Sequence, residues 1–339
     1  MHDAWILPRA GQSHLFRRAS PAYRRGDADI TDAGPVAMPL RAVHHLDLAA
    51  DLLVYADGGA VHLLRGLLGG TASTSIKLPG KPRIHALLAH DGVLFTGAEA
   101  GKGMLGFIDL RAPRAWTSIP VPREALAFGK GVDGLAIHGD RLIAVDDIVL
   151  PRYLLCADIA DPRAPRFTEC RDLAAHSSAE HVISVSAAGD TLALLSTSAN
   201  HGACSAHVSF LDLGTLEEHA ALHVQRPGGI RRFADRSYDL RALALAGDRL
   251  LLAAGDDGLA LLPVPPRLSA GSRSSRHAVS LSDAPSIPVE SLRFVPVAEG
   301  TVVDVVPVDE RRAFAIVETP RRGLFGGKPL DAVLCALPP

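Results

Sequence analysis

The chain has 339 residues, 47% of them hydrophobic, and a formal net charge of −2. This length and composition fit a globular protein with one large domain or two ordinary ones. The near balance of charge excludes the uniformly basic surface of a dedicated binder of nucleic acid or anionic membranes. No stretch approaches the ~18 consecutive apolar residues of a membrane-spanning helix, so we expect no membrane span.

The cysteines and the N-terminal residues indicate the compartment. The apolar run that starts at Ala4 ends at Pro8, which is shorter than the ~7 to 15 apolar residues of a secretory signal. We therefore expect a cytoplasmic protein whose thiols are free. The four cysteines are Cys156, Cys170, Cys204 and Cys335.

A repeat runs along the chain. An Asp between two short apolar segments recurs roughly every 40 to 60 residues, close to the spacing of four-stranded propeller blades. Gly-Asp and Asp-Gly pairs at these points supply the positive φ of tight hairpins, so each copy predicts two antiparallel strands followed by a third. The six copies are centred on Asp51, Asp91, Asp140, Asp190, Asp248 and Asp309.

A fourth, more polar strand is predicted after the third strand in five copies. The sixth copy reaches Pro339 before such a strand, and residues 4–10 or 14–19 could supply it and close the ring. The sequence thus predicts an all-β fold, a single β-propeller domain over residues 1–339 with six blades, in which residues 1–40 are the closing segment. Seven blades is the alternative, if residues 1–40 hold further strands. The predicted fourth strands are residues 73–78, 115–121, 166–172, 217–224 and either 276–282 or 291–297.

Residues 135–169 carry the most regular copy, with a Gly-Asp hairpin, an "AVDD" end to the second strand and an "ADIADPRAP" turn. This copy resembles the LVIVD-type propeller repeat, and residues 106–113 and 253–264 are weaker echoes of it. Members of that family are binding and scaffolding propellers, so the resemblance implies an interaction role.

Two segments match the pattern G-x-G-x-x-G, which holds a pyrophosphate only where it opens a helix. Here each segment opens a predicted strand, so we interpret the glycines as turn residues and expect no cofactor. The segments end at Gly106 and Gly134.

Two groups of side chains resemble metal sites. The first combines thiol and imidazole groups that suit Zn²⁺, but the histidines are spread along the whole chain and no C-x-x-C occurs, so we favour polar loop residues and no metal. Its members are Cys170, His176, His181, His201, Cys204 and His207.

The second group follows from the predicted ring, because first strands line the central channel of a propeller. Imidazole and carboxylate groups at one channel mouth could hold a metal ion and a water, as in six-bladed hydrolases or lactonases. This is the alternative to a non-enzymatic role. The residues are His45, His85, Asp133, His181, Asp239 and Asp304.

The favoured prediction is a non-enzymatic scaffold for protein partners, with nucleic acid unlikely and no catalytic residue. Connections between second and third strands are long in the second, third, fourth and sixth copies, and they should leave the sheets at the same end as the links between copies. An exposed apolar pair with a cationic rim is typical of an interface hot spot. The residues predicted to bind a partner are Arg231, Arg232, Arg236, Arg321, Arg322, Leu324 and Phe325.

Overall fold

The computed structural model describes the greater part of the chain. The regular elements of this part are all β-strands, and it contains no helix with the length and apolar character needed to cross a membrane. The described residues are 3–7, 15–20, 24–25, 28–29, 36–37, 43–47, 52–57, 60–65, 72–79, 83–98, 105–113, 115–121, 132, 134–146, 153–173, 182–198, 205–225, 242–255, 257–266, 286–288, 292–295, 297, 301–318 and 330–338.

The strands are short and follow one another closely. The first nine are β1 (Asp3–Leu7), β2 (Leu15–Ser20), β3 (Arg24–Arg25), β4 (Ala28–Asp29), β5 (Val36–Ala37), β6 (Val43–Asp47), β7 (Leu52–Asp57), β8 (Ala60–Arg65) and β9 (Ala72–Lys77). The next eight are β10 (Ile84–His90), β11 (Val93–Ala98), β12 (Leu105–Asp109), β13 (Thr117–Ser118), β14 (Gly134–His138), β15 (Arg141–Asp146), β16 (Tyr153–Asp158) and β17 (Arg166–Asp172). The last twelve are β18 (Val182–Ala188), β19 (Thr191–Ser198), β20 (Ser205–Asp212), β21 (Glu218–Gln225), β22 (Ala242–Ala246), β23 (Arg249–Ala253), β24 (Leu259–Pro263), β25 (Ser286–Pro288), β26 (Arg293–Val295), β27 (Thr301–Asp309), β28 (Arg312–Glu318) and β29 (Leu330–Ala336).

Among the described residues these strands form six sheets of four or more strands, and β3 and β4 form a separate pair. We number the sheets along the chain. Sheet 1 is β6–β9, sheet 2 is β10–β13, sheet 3 is β14–β17, sheet 4 is β18–β21 with β25, sheet 5 is β22–β24 with β26, and sheet 6 is β27–β29 followed by β1, β2 and β5.

The second strand of each sheet explains how the sheets stack. In β23, Leu250 and Leu252 pack against sheet 4, whereas Leu251 packs against sheet 6. Both faces of the strand are therefore buried, which is why its sequence is a continuous apolar run rather than an alternating one. Apolar layers of the same kind lie between sheets 1 and 2, 2 and 3, and 3 and 4.

First strands of successive sheets contact each other in the order β6, β10, β14, β18, β22 and β27. The first strands of sheets 2 to 6 line a common cavity of about 580 Å³. Face-to-face sheets whose first strands surround a central cavity are the arrangement of a β-propeller. The all-β propeller class predicted from the repeat is therefore confirmed.

The hairpins between first and second strands follow the predicted chemistry. Asp91 and Gly92 have φ of 45° and 73°, as a type I′ turn requires. At the corresponding place in sheet 3, Gly139 has φ of 54° and is followed by Asp140, which is the pattern of a type II′ turn with Gly first. The repeated turn dipeptides thus do set the antiparallel joints.

The fourth strand of sheet 5 distinguishes between the two segments predicted for it. It is β26, within residues 291–297, and it pairs antiparallel with β24 through Leu259 and Val295; the other segment, 276–282, lies outside the described residues. Before reaching β26 the chain adds β25 to sheet 4, parallel to β21. Leu292, 7% exposed, then packs into the core between sheets 4 and 5, so this detour ties the two sheets together.

The N-terminal strands join the last sheet. β1 pairs antiparallel with β29 over five positions, with Trp5 opposite Ala332. β2 pairs with β1 and β5 with β2. The segment that lies beside β29 is therefore the one around Trp5, the first of the two predicted for that place.

Candidate functional site

The central cavity is bordered mainly by strand edges. A Cβ on Gly134 in β14 would collide with the side chain of Val185 in β18, and the hydroxyl of Ser184 accepts a hydrogen bond from the N–H of Leu243 in β22. Side chains of a first strand therefore point to the sheets on either side. The cavity is therefore bordered mainly by the backbone edges of the first strands.

Two of the six residues predicted at the channel mouth do line this cavity, namely His85 on β10 and Asp304 on β27. The Asp304 carboxylate also accepts a hydrogen bond from the N–H of Val305 at 2.8 Å. In the described part of the chain, no group of three His, Cys, Asp or Glu side chains is placed to hold a metal ion. The side chain of His45 and the residues Asp133, His181 and Asp239 lie outside the described residues.

The two ends of the sheets differ. At one end, which we call the hairpin end, first and second strands are joined by two-residue turns such as Gly139-Asp140 and Gly247-Asp248. At the opposite end, which we call the connection end, second strands lead to third strands and each sheet leads to the next. The connections there include residues 99–104, 147–152, 199–204, 226–241 and 319–329. Third strands lead to fourth strands at the hairpin end, for example through residues 110–116 and 159–165.

The residues predicted to bind a partner fall in two of these connections. Arg231, Arg232 and Arg236 belong to the link that leaves β21 for β22, and the other four belong to the connection from β28 to β29. Both connections start from the connection end, because strand direction alternates within each sheet. All seven residues, including Arg321, Arg322, Leu324 and Phe325, lie outside the described residues.

Arginine side chains form hydrogen bonds between neighbouring sheets at the hairpin end. Arg141, the first residue of β15, donates to the carbonyl oxygens of Leu213 at 3.3 Å and Gly214 at 3.1 Å in sheet 4. Arg249, the first residue of β23, donates in the same way to the carbonyl oxygen of Pro338 after sheet 6's third strand. The two arginines occupy the same place in the repeat, so one repeat position ties a sheet to its successor.

Sequence reasoning missed this role, although a signal was present. The tetrapeptide Gly-Asp-Arg-Leu occurs at residues 139–142 and again at 247–250. Sheets 2 and 3 are tied differently, through Arg163 in the turn before β17. Its guanidinium lies 3.1 Å from the Asp109 carboxylate and donates to the carbonyl oxygen of Asp91 at 3.3 Å.

The contact between sheets 3 and 4 also includes a carboxylate that lies between two guanidinium groups. Glu169 on β17 pairs with Arg141 and with Arg171, the latter at 2.9 Å. Burial by itself would raise the pKa of Glu169, but the hydrogen bond from Arg171 and the charges of both arginines outweigh it and lower that pKa. Arg171 in turn donates to the carbonyl oxygen of Thr215 in sheet 4 at 2.5 Å.

The structure separates the members of the predicted thiol and imidazole cluster. Cys170 packs into the core between sheets 2 and 3. His207 alternates with Val208, which faces sheet 5, so His207 faces sheet 3 from the other side. Sheet 3 thus lies between the two residues. The prediction that they are polar loop residues was wrong for both, because Cys170 lies on β17 and the buried His207 on β20; His176, His181, His201 and Cys204 lie outside the described residues.

A histidine that the sequence analysis did not consider lies beside His207. His223 on β21 is its register partner, and the two rings meet edge to face with centroids 6.3 Å apart. Burial, with a smaller effect of His223, lowers the pKa of His207 to about 4, and burial lowers the pKa of His223 as well. Counting outward from the turn at Asp212 would not have paired these positions, because a bulge between Phe210 and Leu211 shifts the register by one residue.

The described residues Cys156, Cys170 and Cys335 form no disulfide. Cys156 faces sheet 4 while Cys170 faces sheet 2, so these two residues cannot approach each other across sheet 3. Burial raises the pKa of Cys170 to about 11 and that of Cys335 to about 11, and it raises the pKa of Cys156 too. At neutral pH these groups are thiols rather than nucleophilic thiolates.

The two glycine-rich segments have structural roles at their third glycines. Gly106 lies inside β12, where a Cβ would come within 2.5 Å of the Trp116 ring. Trp116 crosses over it, and its Nε1–H donates to Thr96 Oγ1 at 2.9 Å. Gly134 lies inside β14 under Val185. Both glycines are thus required for close packing within strands, not for a helix N-terminus.

No family model matches the chain, and no curated protein matches it. Solved structures do match its fold. Hydrazine synthase of Kuenenia stuttgartiensis is similar with a TM-score of 0.61 and 13% identity, over 89% of this chain and 86% of that one. BBS1N, solved in complex with ARL6DN, is similar with a TM-score of 0.51 and 12% identity, over 96% of this chain and 88% of that one. At these identities the similarity concerns the fold, and it supports the propeller assignment.

Proposed function

We propose that the chain is a non-enzymatic propeller that acts in the cytoplasm as a scaffold for protein partners or as a subunit of a complex. The observation that carries this proposal is the pair of long connections at the connection end of the sheets. Residues 226–241 link β21 to β22, and residues 319–329 link β28 to β29. Arg141 and Arg249 tie neighbouring sheets together at the opposite end, and loops carried by such a frame are where binding residues concentrate.

On this proposal the partner contacts the connections 226–241 and 319–329. Arg231, Arg232 and Arg236 in the first and Arg321 and Arg322 in the second form a cationic rim. Leu324 and Phe325 are the apolar anchors, because buried aromatic and aliphatic groups surrounded by Arg carry most of the energy at protein interfaces. A protein partner with an apolar pocket and acidic edges fits this composition.

The test is quantitative partner capture from the native host with the double variant Leu324→Ser and Phe325→Ser. We expect proteins captured by the wild-type chain to be lost while the melting temperature stays within about 2 °C, as for surface changes away from the core. The matched control is Arg111→Ser, an exposed residue at the hairpin end, which should capture as the wild type does. Capture that is equal in all three proteins would remove these residues from the interface.

The finer features of the fold belong to the same proposal. We infer that the six sheets are the six blades of a single ring over residues 1–339, which the N-terminal strands close within residues 1–40. Pairing of β1 with β29 supports this inference. We also propose that the repeat of residues 135–169 is of the LVIVD type. Two observations support this: its Gly-Asp pair joins β14 to β15, and its "ADIADPRAP" turn connects β16 to β17.

A second candidate function has one observation in its favour. His85 and Asp304 come from different sheets and line the same cavity, as a metal-dependent hydrolase or lactonase at the channel mouth would require. Metal analysis of the purified chain and of His85→Asn decides between the two. A stoichiometric divalent ion that disappears in His85→Asn would favour the hydrolase over the scaffold.

A further inference from the structure

A row of polar residues crosses the outer half of sheet 4. Ser196 on β19 is in register with His207 on β20, and His207 is in register with His223 on β21. Residues in register on neighbouring strands point to the same face of a sheet. The two imidazoles therefore stand next to each other on the face of sheet 4 that is turned toward sheet 3.

The two rings differ in exposure. His207 is 4% exposed and is fixed between β19 and β21, with the Ser196 hydroxyl donating to its carbonyl oxygen at 3.3 Å. His223 lies farther out and is half-buried. One imidazole is thus held rigidly by the core, and the second, at the outer edge of the first, is reachable from solvent.

Imidazole is a common ligand of transition-metal ions. Its unprotonated ring nitrogen binds Zn²⁺, Cu²⁺ and Ni²⁺ well. Two imidazoles in register on neighbouring strands can therefore offer two such nitrogens to one ion.

We propose that His207 and His223 form a binding site for one divalent transition-metal ion of the Zn²⁺ and Cu²⁺ class, with water in the remaining coordination positions. The site lies between sheets 3 and 4, and neither imidazole lines the central cavity. It is independent of the proposed scaffold role. A bound ion would link β20 to β21 and strengthen the outer half of sheet 4.

The separation of the rings fits this assignment. A metal–nitrogen bond of about 2.1 Å puts a ring centroid about 3.2 Å from the ion, so two imidazoles on a tetrahedral ion have centroids about 5 Å apart. The observed separation is 6.3 Å. Binding of one ion therefore brings the two rings about 1 Å closer together, and we expect the more exposed ring, that of His223, to move.

The experiment uses the full chain, freed of metal by chelation and dialysis, and titrates it with ZnCl₂ and separately with CuCl₂ in a calorimeter. We expect one ion per chain and a raised melting temperature with Zn²⁺. The Cu²⁺ complex should show splitting from two imidazole nitrogens in its electron paramagnetic resonance spectrum. His223→Asn should weaken binding at least about tenfold, since even changes to groups behind a ligand weaken it that much.

Two matched variants separate this site from the rest of the chain. His138→Asn removes a partly exposed imidazole of sheet 3 that lies 3.8 Å from Asp190, and His85→Asn removes the imidazole at the central cavity. Both should bind like the wild type. Absence of saturable binding, or binding that survives in His223→Asn and is lost in His85→Asn, overturns the proposal; should His207→Asn fail to fold, His223→Asn alone decides.

Discussion

The hydroxyl of Ser184 accepts a hydrogen bond of 3.0 Å from the backbone N–H of Leu243 in the next sheet. Ser186, two residues along the same strand, accepts from Leu245 at 3.0 Å. These N–H groups belong to the free edge of β22, whose other edge pairs with β23. Two serines at alternate positions thus accept hydrogen bonds from backbone N–H groups on the edge of a neighbouring first strand. Such edge groups have no strand to pair with and need another acceptor.

We predict that Ser184→Ala with Ser186→Ala lowers the free energy of unfolding by about 2 kcal/mol. When a serine hydroxyl is removed, the N–H group that donated to it can hydrogen-bond only to water in the cavity. This loss costs about 1 kcal/mol for each serine. Urea denaturation measures the change. Ser75→Ala, on an exposed position of β9, is the control and should change stability by less than about 0.5 kcal/mol; equal effects in both proteins would contradict the role of the two serines.

The contacts between Arg141 and sheet 4 give a second prediction, which separates the effect of the shape of the side chain from the effect of its charge. Arg141→Lys keeps the charge beside Glu169 but loses the planar fork that reaches two carbonyl oxygens. We expect Arg141→Lys and Arg141→Ala to lose similar stability, about 1 to 2 kcal/mol, in thermal denaturation. Arg166→Ala on the exposed side of β17 is the control. A lysine variant as stable as the wild type would show that charge alone is sufficient.

Stability should depend on the protonation of Glu169. Its pKa in the folded chain lies below the ordinary value of 4.5, so folding favours the ionised form. The resulting stabilisation is complete above about pH 4.5 and is lost as the pH falls through the lower folded pKa. We expect the difference in unfolding free energy between wild type and Glu169→Gln, measured by urea denaturation at a series of pH values, to shrink over that window.

The repeat and its turns were predictable from the sequence because their causes are local. Asp91-Gly92 and Gly139-Asp140 adopt positive φ at the glycine or its neighbour, and an alternating or continuous apolar pattern on each side defines the strands. The detour that adds β25 to sheet 4 was not predictable. It pairs Ile287 with Val224, far apart in sequence, and nothing within three residues of Ile287 specifies that partner.

Much of the site was beyond local patterns for the same reason. The pairing of His207 with His223 depends on the register of β20 and β21, which a bulge near Phe210 shifts by one residue. The acceptors of Arg141 are backbone carbonyl groups of another sheet, and a carbonyl group has no sequence signature. Only the repetition of Gly-Asp-Arg-Leu pointed to a shared role.

Gly106 provides a prediction about close packing. Gly106→Ala should push the Trp116 ring away and break its hydrogen bond to Thr96, which is buried. We expect a loss of about 3 kcal/mol, the sum of overpacking and a buried hydroxyl without its donor, and a red shift of tryptophan fluorescence. Gly139→Ala has open space around its Cβ, so it should cost only the backbone strain of about 1 kcal/mol and leave the fluorescence unchanged.

The proposed closure of the ring by the N-terminal strands leads to the last prediction. Removal of residues 1–20 takes away β1 and β2 and leaves the edge of β29, from Leu330 to Leu334, without its partner. We expect the melting temperature to fall by about 10 °C or more, since several hydrogen bonds and the cover of sheet 6 are lost together. The exposed edge should also promote association, visible as larger species in size-exclusion chromatography. A variant in which residues 8–14 are replaced by Gly and Ser keeps both strands and should melt near the wild type. A truncated chain that melts like the full one would mean that sheet 6 is stable without β1, and that the ring does not depend on its N-terminal segment.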